Sequence, residues 1–247
     1  MQALGIDIGG TGIKGALVDT TTGAFTTDRL RIKTPHPATP EAVTAVVARI
    51  AAHFEWTGPT GATFPGVVKG GTIHTAANVD RAWIGTDAAA VFARAIGAPV
   101  VVVNDADAAG QAEARFGHPQ ARQGVVLLLT LGTGIGSALV VDGELIPNTE
   151  LGHLKMGSKQ VDAEKLASEL VRENEKLSWK KWAKRVSAYL TELEALLWPD
   201  LYVLGGGVSK EPDKFVPRLR CATPVVAAQL ENRAGIVGAA LAAERGK

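Results

Sequence analysis

Two ten-residue stretches set the first expectation for this chain. GTGIKGALVD (residues 10–19) and GTGIGSALVV (residues 132–141) agree at seven of ten positions and lie 122 residues apart in a chain of 247. A repeat at half the chain length predicts a duplicated architecture in which each half supplies one glycine-tipped element. The first copy also contains Gly10-x-Gly12-x-x-Gly15, the spacing of a dinucleotide-binding turn. That turn works only where it joins a strand to a helix whose N-terminus receives the pyrophosphate. Alternating Leu4, Ile6 and Ile8 predict a strand before it, but ALVDTTTGAF after it is short and broken by a turn-forming run. Fewer than about ten helix-competent residues cannot offset helix nucleation. The glycines are therefore expected at the tip of a β-hairpin, and a nicotinamide cofactor becomes a remote alternative.

Glycine tips of this kind suit phosphate, because glycine lets the backbone approach closely and take positive φ, so that successive N–H groups converge on an anion. Gly9, Gly10, Thr11 and Gly12 form the first tip and Gly132, Thr133 and Gly134 the second. A third turn, Gly205-Gly206-Gly207, ends the apolar stretch LYVL and carries Lys210 just beyond it. Lys14, on the strand leaving the first tip, is equally compatible with reaching a phosphate and with lying solvated.

Hydrophobic periodicity predicts strands over 3–8, 13–18, 25–33, 61–64, 100–103, 125–131, 137–141 and 201–204. It predicts helices over 41–54, 87–96, 106–116, 163–173, 179–197 and 236–243. A run of strands followed by alternation with helices favours α/β layers built on a mixed sheet. Hydrophobic content of 46% is ample for one large or two modest cores. A net charge of +1 provides no global field for nucleic acid, so any polyanion must meet local positive charge. The single cysteine, Cys221, excludes an internal disulfide and a cysteine-built metal site. The uncharged stretch 123–141 is long enough to span a membrane, yet its four glycines and three hydroxyl residues read as two strands and a turn. No basic segment leads into an apolar run at the start, so the expectation is a soluble, cytoplasmic protein with no membrane or nucleic-acid partner.

The stretches GIDIGGTGIKGALVD, NDADAAGQAEARFG, LLTLGTGIGSAL, ELGHLKMG, LYVLGGGVSK and AGIVGAAL together resemble the ROK (repressor, open reading frame, kinase) family, over residues 5–241. TFPGVV and AANVDRAW add a likeness to its polyphosphate-dependent glucokinases from actinobacteria. The resemblance implies an actin-like ATPase (ribonuclease-H-like) duplicated α/β fold of two lobes with a central cleft. It divides the chain into a small lobe over 1–109, joined by the C-terminal helix 234–247, and a large lobe over 110–233. The implied activity is phosphoryl transfer from inorganic polyphosphate to the 6-hydroxyl of glucose, with Mg²⁺, in a homodimer. An ATP-dependent or bifunctional gluco(manno)kinase is one alternative, and a non-catalytic sugar-sensing module a remoter one. Many members carry a three-cysteine zinc motif after the Gly-His pair, and LKMGSKQVDAEKLAS has no cysteine, so no zinc is expected. The DNA-binding domain that repressor members place before the first hairpin is likewise not expected.

Phosphoryl transfer to an alcohol needs a base at the hydroxyl, donors around the phosphate and a cation against developing charge. Asp105 ends the strand PVVVVN and opens a helix, a position that fits both an N-cap and a general base. The family's Asn-Asp pair implies the base, with burial expected to raise its basicity. Asp107, in the first helical turn, reads as a dipole-satisfying residue. By resemblance the sugar is held by Gly66, Asn78, Asn104, Asp105, Glu150, His153 and, less directly, Glu164. Asp7 is the implied carboxylate near Mg²⁺, against the plainer reading of a turn-stabilising aspartate. On helix 179–197, Trp179, Trp182, Val186, Tyr189, Leu193 and Leu196 read as a core stripe. The opposite face, Lys180, Lys181, Lys184 and Arg185, reads as solvated, with polyphosphate as the alternative occupant.

Overall fold

The first glycine run tips a hairpin. Strands β1 (Gln2–Ile8) and β2 (Ile13–Asp19) pair antiparallel, with Ile8 opposite Ile13, so residues 9–12 are the connection. The structure, a computed structural model, describes residues 1–77 and 79–246. After β2 come β3 (Ala24–Phe25), β4 (Leu30–Ile32), α1 (Pro40–His53), β5 (Thr60–Phe64), β6 (Val68–Lys69), β7 (Thr72–Ile73), α2 (Ala88–Ile96), β8 (Val100–Asn104) and α3 (Asp105–Phe116). The strand expected over 25–33 is thus two short ones, because Thr27 turns its hydroxyl to accept from the Leu17 N–H at 3.1 Å between them.

The second half repeats the plan. Strands β9 (Val125–Leu131) and β10 (Ile135–Val141) pair antiparallel, with Leu131 opposite Ile135, so residues 132–134 are the tip. There follow β11 (Glu144–Ile146), β12 (Lys155–Met156), β13 (Val161–Asp162), α4 (Glu164–Ala167), α5 (Glu169–Asn174), α6 (Trp179–Leu197), β14 (Leu201–Gly206), β15 (Val225–Ala227) and α7 (Ala234–Arg245). The helix expected over 163–173 is broken at Ser168, whose extended backbone (ψ 160°) and hydroxyl start α5 afresh by accepting from Val171.

One sheet is six-stranded in the order β3-β2-β1-β5-β8 with β4 also on β2, and the other is five-stranded in the order β11-β10-β9-β14-β15. In both, the hairpin strands are antiparallel and the next two are parallel, so the duplication read in ten residues extends to whole-sheet topology. The chain forms two compact units, Met1–Ala112 with the residues from Arg233 onward, and Glu113–Asn232.

Both faces of the first sheet are covered, which is why β1 and β5 are almost wholly buried. Leu4, Ile6, Ile8, Ala62 and Phe64 pack with Val43, Val47 and Ile50 of α1. Strand side chains alternate faces, so Gly5 and Gly61 point the other way, toward α7. There a Cβ on Gly5 would collide with the Ile236 carbonyl, and one on Gly61 with the Ala239 carbonyl. Helix α7 is Ala/Gly-rich so that it can lie this close. In the second unit, Leu127, Leu129, Leu131, Tyr202 and Leu204 pack on Trp182, Val186, Tyr189 and Leu193 of α6. The stripe read on α6 is core except at its ends: Trp179 packs half-buried against the core and Leu196 is 61% exposed. Among the described residues, no helix is long and apolar enough to cross a membrane.

Candidate active site

In the first unit the strand-to-helix junction β8–α3 assigns separate tasks to adjacent residues. Asn104, 7% exposed, accepts from the Ala106 N–H (2.9 Å) and the Asp107 N–H (3.0 Å), capping α3. Its Nδ2 donates to the Gly66 carbonyl at 3.1 Å. Asn104 and Gly66, both expected at the sugar, are therefore bonded to each other. Asp105, relieved of capping, has an exposed side chain with its Oδ1 accepting locally from Ala106 at 2.9 Å. The expected burial of Asp105 is overturned: as the first residue of α3, beside the buried Asn104, its side chain is exposed. Asp107 is 2% exposed in the first turn. Asn78 lies outside the described residues.

Asp7, Lys14 and the first tip form one group. Lys14 Nζ pairs with Asp7 Oδ2 at 3.0 Å, so this lysine is neither solvated nor aimed outward. Thr63 donates to Asp7 Oδ1 at 3.1 Å while accepting from the Ile8 N–H at 3.0 Å. The tip closes on itself, with Gly9 N–H donating to Gly12 carbonyl at 3.2 Å, and Thr11 lies exposed at its end. Gly10 is the remaining tip residue, half-buried.

The second tip is closed in the same way, Gly132 N–H to Gly134 carbonyl at 3.0 Å, with Thr133 exposed. Strand β14 brings the third glycine turn alongside: Gly205 is opposite Thr130 and Gly206 opposite Leu131, one residue before Gly132. Positive φ was expected at these tips, yet Gly9, Gly12, Gly132 and Gly134 all lack it and only Gly206 has it, at 86°. Loops of four and three residues joining paired strands close with ordinary backbone angles. Two of them instead allow side chains to approach closely: a Cβ on Gly12 would stand 2.7 Å from Arg31 Nε and one on Gly134 2.5 Å from Glu164 Oε2, whereas a Cβ on Gly132 would meet nothing within 4 Å. Glu169 packs its carboxylate on Gly207, and burial pushes that carboxyl above its ordinary range. Lys210 is exposed in the following turn.

Glu150, His153 and Glu164 do come together, joined by Asp162, which sequence reading missed. His153 Nε2 is 3.8 Å from Glu150 Oε2, and its Nδ1 is 3.9 Å from both Asp162 Oδ2 and Glu164 Oε1. Asp162, 12% exposed, is opposite Lys155 in the β12–β13 ladder and pairs with Lys155 and Lys165. The Lys155 hydrogen bond holds its carboxyl below the ordinary range. Glu150 is 40% exposed, yet desolvation by its neighbours, opposed by His153 and aided by Glu164, pushes its carboxyl up. Ligand atoms of His153, Asp162 and Glu164 all lie within 4.8 Å of one another, close enough for a cation, although two lysines already neutralise Asp162. A ring of carboxylate acceptors around one imidazole is suited to the donor hydroxyls of a sugar. Of the cationic face on α6, Arg185 is bound to Glu175 at 2.6 and 3.1 Å, while Lys180, Lys181 and Lys184 are exposed.

The likeness to known proteins spans these features. Polyphosphate glucokinase of Mycobacterium tuberculosis is 51% identical over 242 residues, covering 98% of this chain and 91% of its own. The crystal structure of inorganic polyphosphate/ATP-glucomannokinase from Arthrobacter sp. strain KM matches with a TM-score of 0.93 at 47% identity, covering 100% of this chain and 99% of that one. A ROK family glucokinase from Streptomyces griseus, in complex with glucose and AMPPNP, matches with a TM-score of 0.85 at 26% identity over the full length of both chains. The profile of the ROK family itself matches residues 3–169, from the first hairpin through both strands of the second to the start of α5, and the chain belongs to that family.

Proposed function

We propose that the chain is a polyphosphate glucokinase, transferring a phosphoryl group from inorganic polyphosphate to the 6-hydroxyl of glucose. The observation that carries this is the 51% identity to a polyphosphate glucokinase along 98% of the chain. The local geometry supports it with an exposed carboxylate, an acceptor cluster and glycine turns.

In this reading Asp105 takes the proton of the hydroxyl as it attacks, and Asn104 holds the helix start that aims it. Glu150, His153 and Glu164 accept from ring hydroxyls, with Gly66 and Asn78 as further sugar contacts. The turns 9–12, 132–134 and 205–207, with Lys210, hold the donor. Mg²⁺, if bound, would neutralise charge developing on the phosphates. Asp7 has Lys14 on one oxygen and Thr63 on the other, and so fits an ion through intervening water better than as a direct ligand. A cytoplasmic homodimer belongs to the same reading.

A coupled assay for glucose 6-phosphate, run with glucose and each donor in turn, tests the proposal. Turnover with polyphosphate is expected; no product from polyphosphate would sink the donor assignment, and no product from either polyphosphate or ATP would sink the kinase reading as well. The 0.93 TM-score to a polyphosphate/ATP-glucomannokinase favours a second reading, use of both donors and of mannose. The same assay with ATP, and with mannose as acceptor, separates the two.

A further inference from the structure

The first hairpin lacks the positive charge that a polyphosphate requires unless it comes from Arg31. Three side chains form one row across neighbouring strands: Asp7 on β1 is opposite Lys14 on β2, and Lys14 is opposite Arg31 on β4. Residues directly opposite one another share a face of the sheet, where like charges repel. Asp7 neutralises Lys14 at 3.0 Å, with both side chains largely shielded at 18% and 23% exposure. Arg31 is left as the unneutralised member, exposed and in no ion pair among the described residues.

Its guanidinium lies on the hairpin tip. Nη2 donates to the Thr11 carbonyl at 3.2 Å, and the plane covers Gly12, where a Cβ would stand 2.7 Å from Nε, 2.9 Å from Nη2 and 3.0 Å from Cζ. The missing Cβ of Gly12 is what lets the cation rest there. A guanidinium has five N–H donors in a planar fork that matches two oxygens of one phosphate. Among the described residues its one hydrogen bond is to the Thr11 carbonyl.

We infer that Arg31 is a donor-binding residue, contacting phosphate at the first tip and favouring polyphosphate over a nucleotide donor. Polyphosphate offers an enzyme little besides charge, whereas ATP also presents a base and a ribose. Loss of one cation at the tip therefore penalises polyphosphate more. This rests on the reading of the 9–12 turn as part of the donor site.

The test compares the wild type with Arg31→Gln and Arg31→Lys, measuring KM for a polyphosphate of defined length, for ATP and for glucose, together with Tm. Arg31→Gln is expected to raise KM for polyphosphate roughly tenfold, the scale of one charge-assisted hydrogen bond. It should move KM for ATP less, leave KM for glucose and Tm in place, and flatten the rise of the polyphosphate KM with salt. Arg31→Lys should fall between. Gly12→Ala, which keeps the arginine but pushes it off the tip, should act in the same direction. An unchanged polyphosphate KM in Arg31→Gln, or an equal loss for both donors and glucose alongside a lower Tm, would overturn the assignment. A wild type that makes no glucose 6-phosphate from polyphosphate would instead bring down the donor reading itself.

Discussion

At Asp105 the structure separates two jobs that fall on adjacent residues. Asn104 caps the helix through its bonds to Ala106 and Asp107, so the aspartate is not needed there. Asp105→Asn is accordingly expected to bind glucose normally in calorimetry while kcat falls by at least ~10²-fold, the scale of a lost general base. Near-normal turnover would exclude the role. Glu150 supplies a second outcome. Desolvation raises its pKa from the ordinary 4.5, so it takes up a proton at higher pH than a free glutamate does. The ionised form is the stronger acceptor for ring hydroxyls, so KM for glucose should rise as pH falls through the raised pKa of Glu150, and in Glu150→Gln that rise should vanish. The residues that sequence reading proposed for the site, Asp105, Glu150 and His153, stand in short local motifs. Those it passed over, Arg31 and Asp162, meet their neighbours across paired strands, and nothing local marks such pairings.

The secondary-structure elements that repeat in sequence were the most legible. Both hairpins follow from the ten-residue repeat, and α6 from an apolar stripe that runs its full length. The break at Ser168 was hidden because apolar spacing continues across it while one hydroxyl redirects the chain. The packing role of AGIVGAAL was hidden too, since small residues have little periodicity to read. Helix α7 lies so close to α3 that a Cβ on Gly238 would collide with the Ala108 carbonyl. A larger residue there must push two backbones apart. Gly238→Val is expected to cost about 1–3 kcal/mol or more, and so to lower Tm by several degrees in a circular-dichroism melt, with no specific change in donor preference.

Across the whole molecule, a chain of net charge +1 can hold a polyanion only through local arrangements of charge. The duplicated topology was legible as a duplication, while the pairing of β4 on β2, which delivers Arg31 to the tip, was not. Helix α7 belongs to the first unit although the entire second unit precedes it in the chain. Residues 1–112 are therefore synthesised well before the helix that covers one side of their sheet. Truncation before Arg233 should leave the N-terminal amides unprotected in hydrogen exchange while those of 113–232 remain slow. A copy stopped short of α7 would thus offer chaperones and proteases the uncovered side of the first sheet.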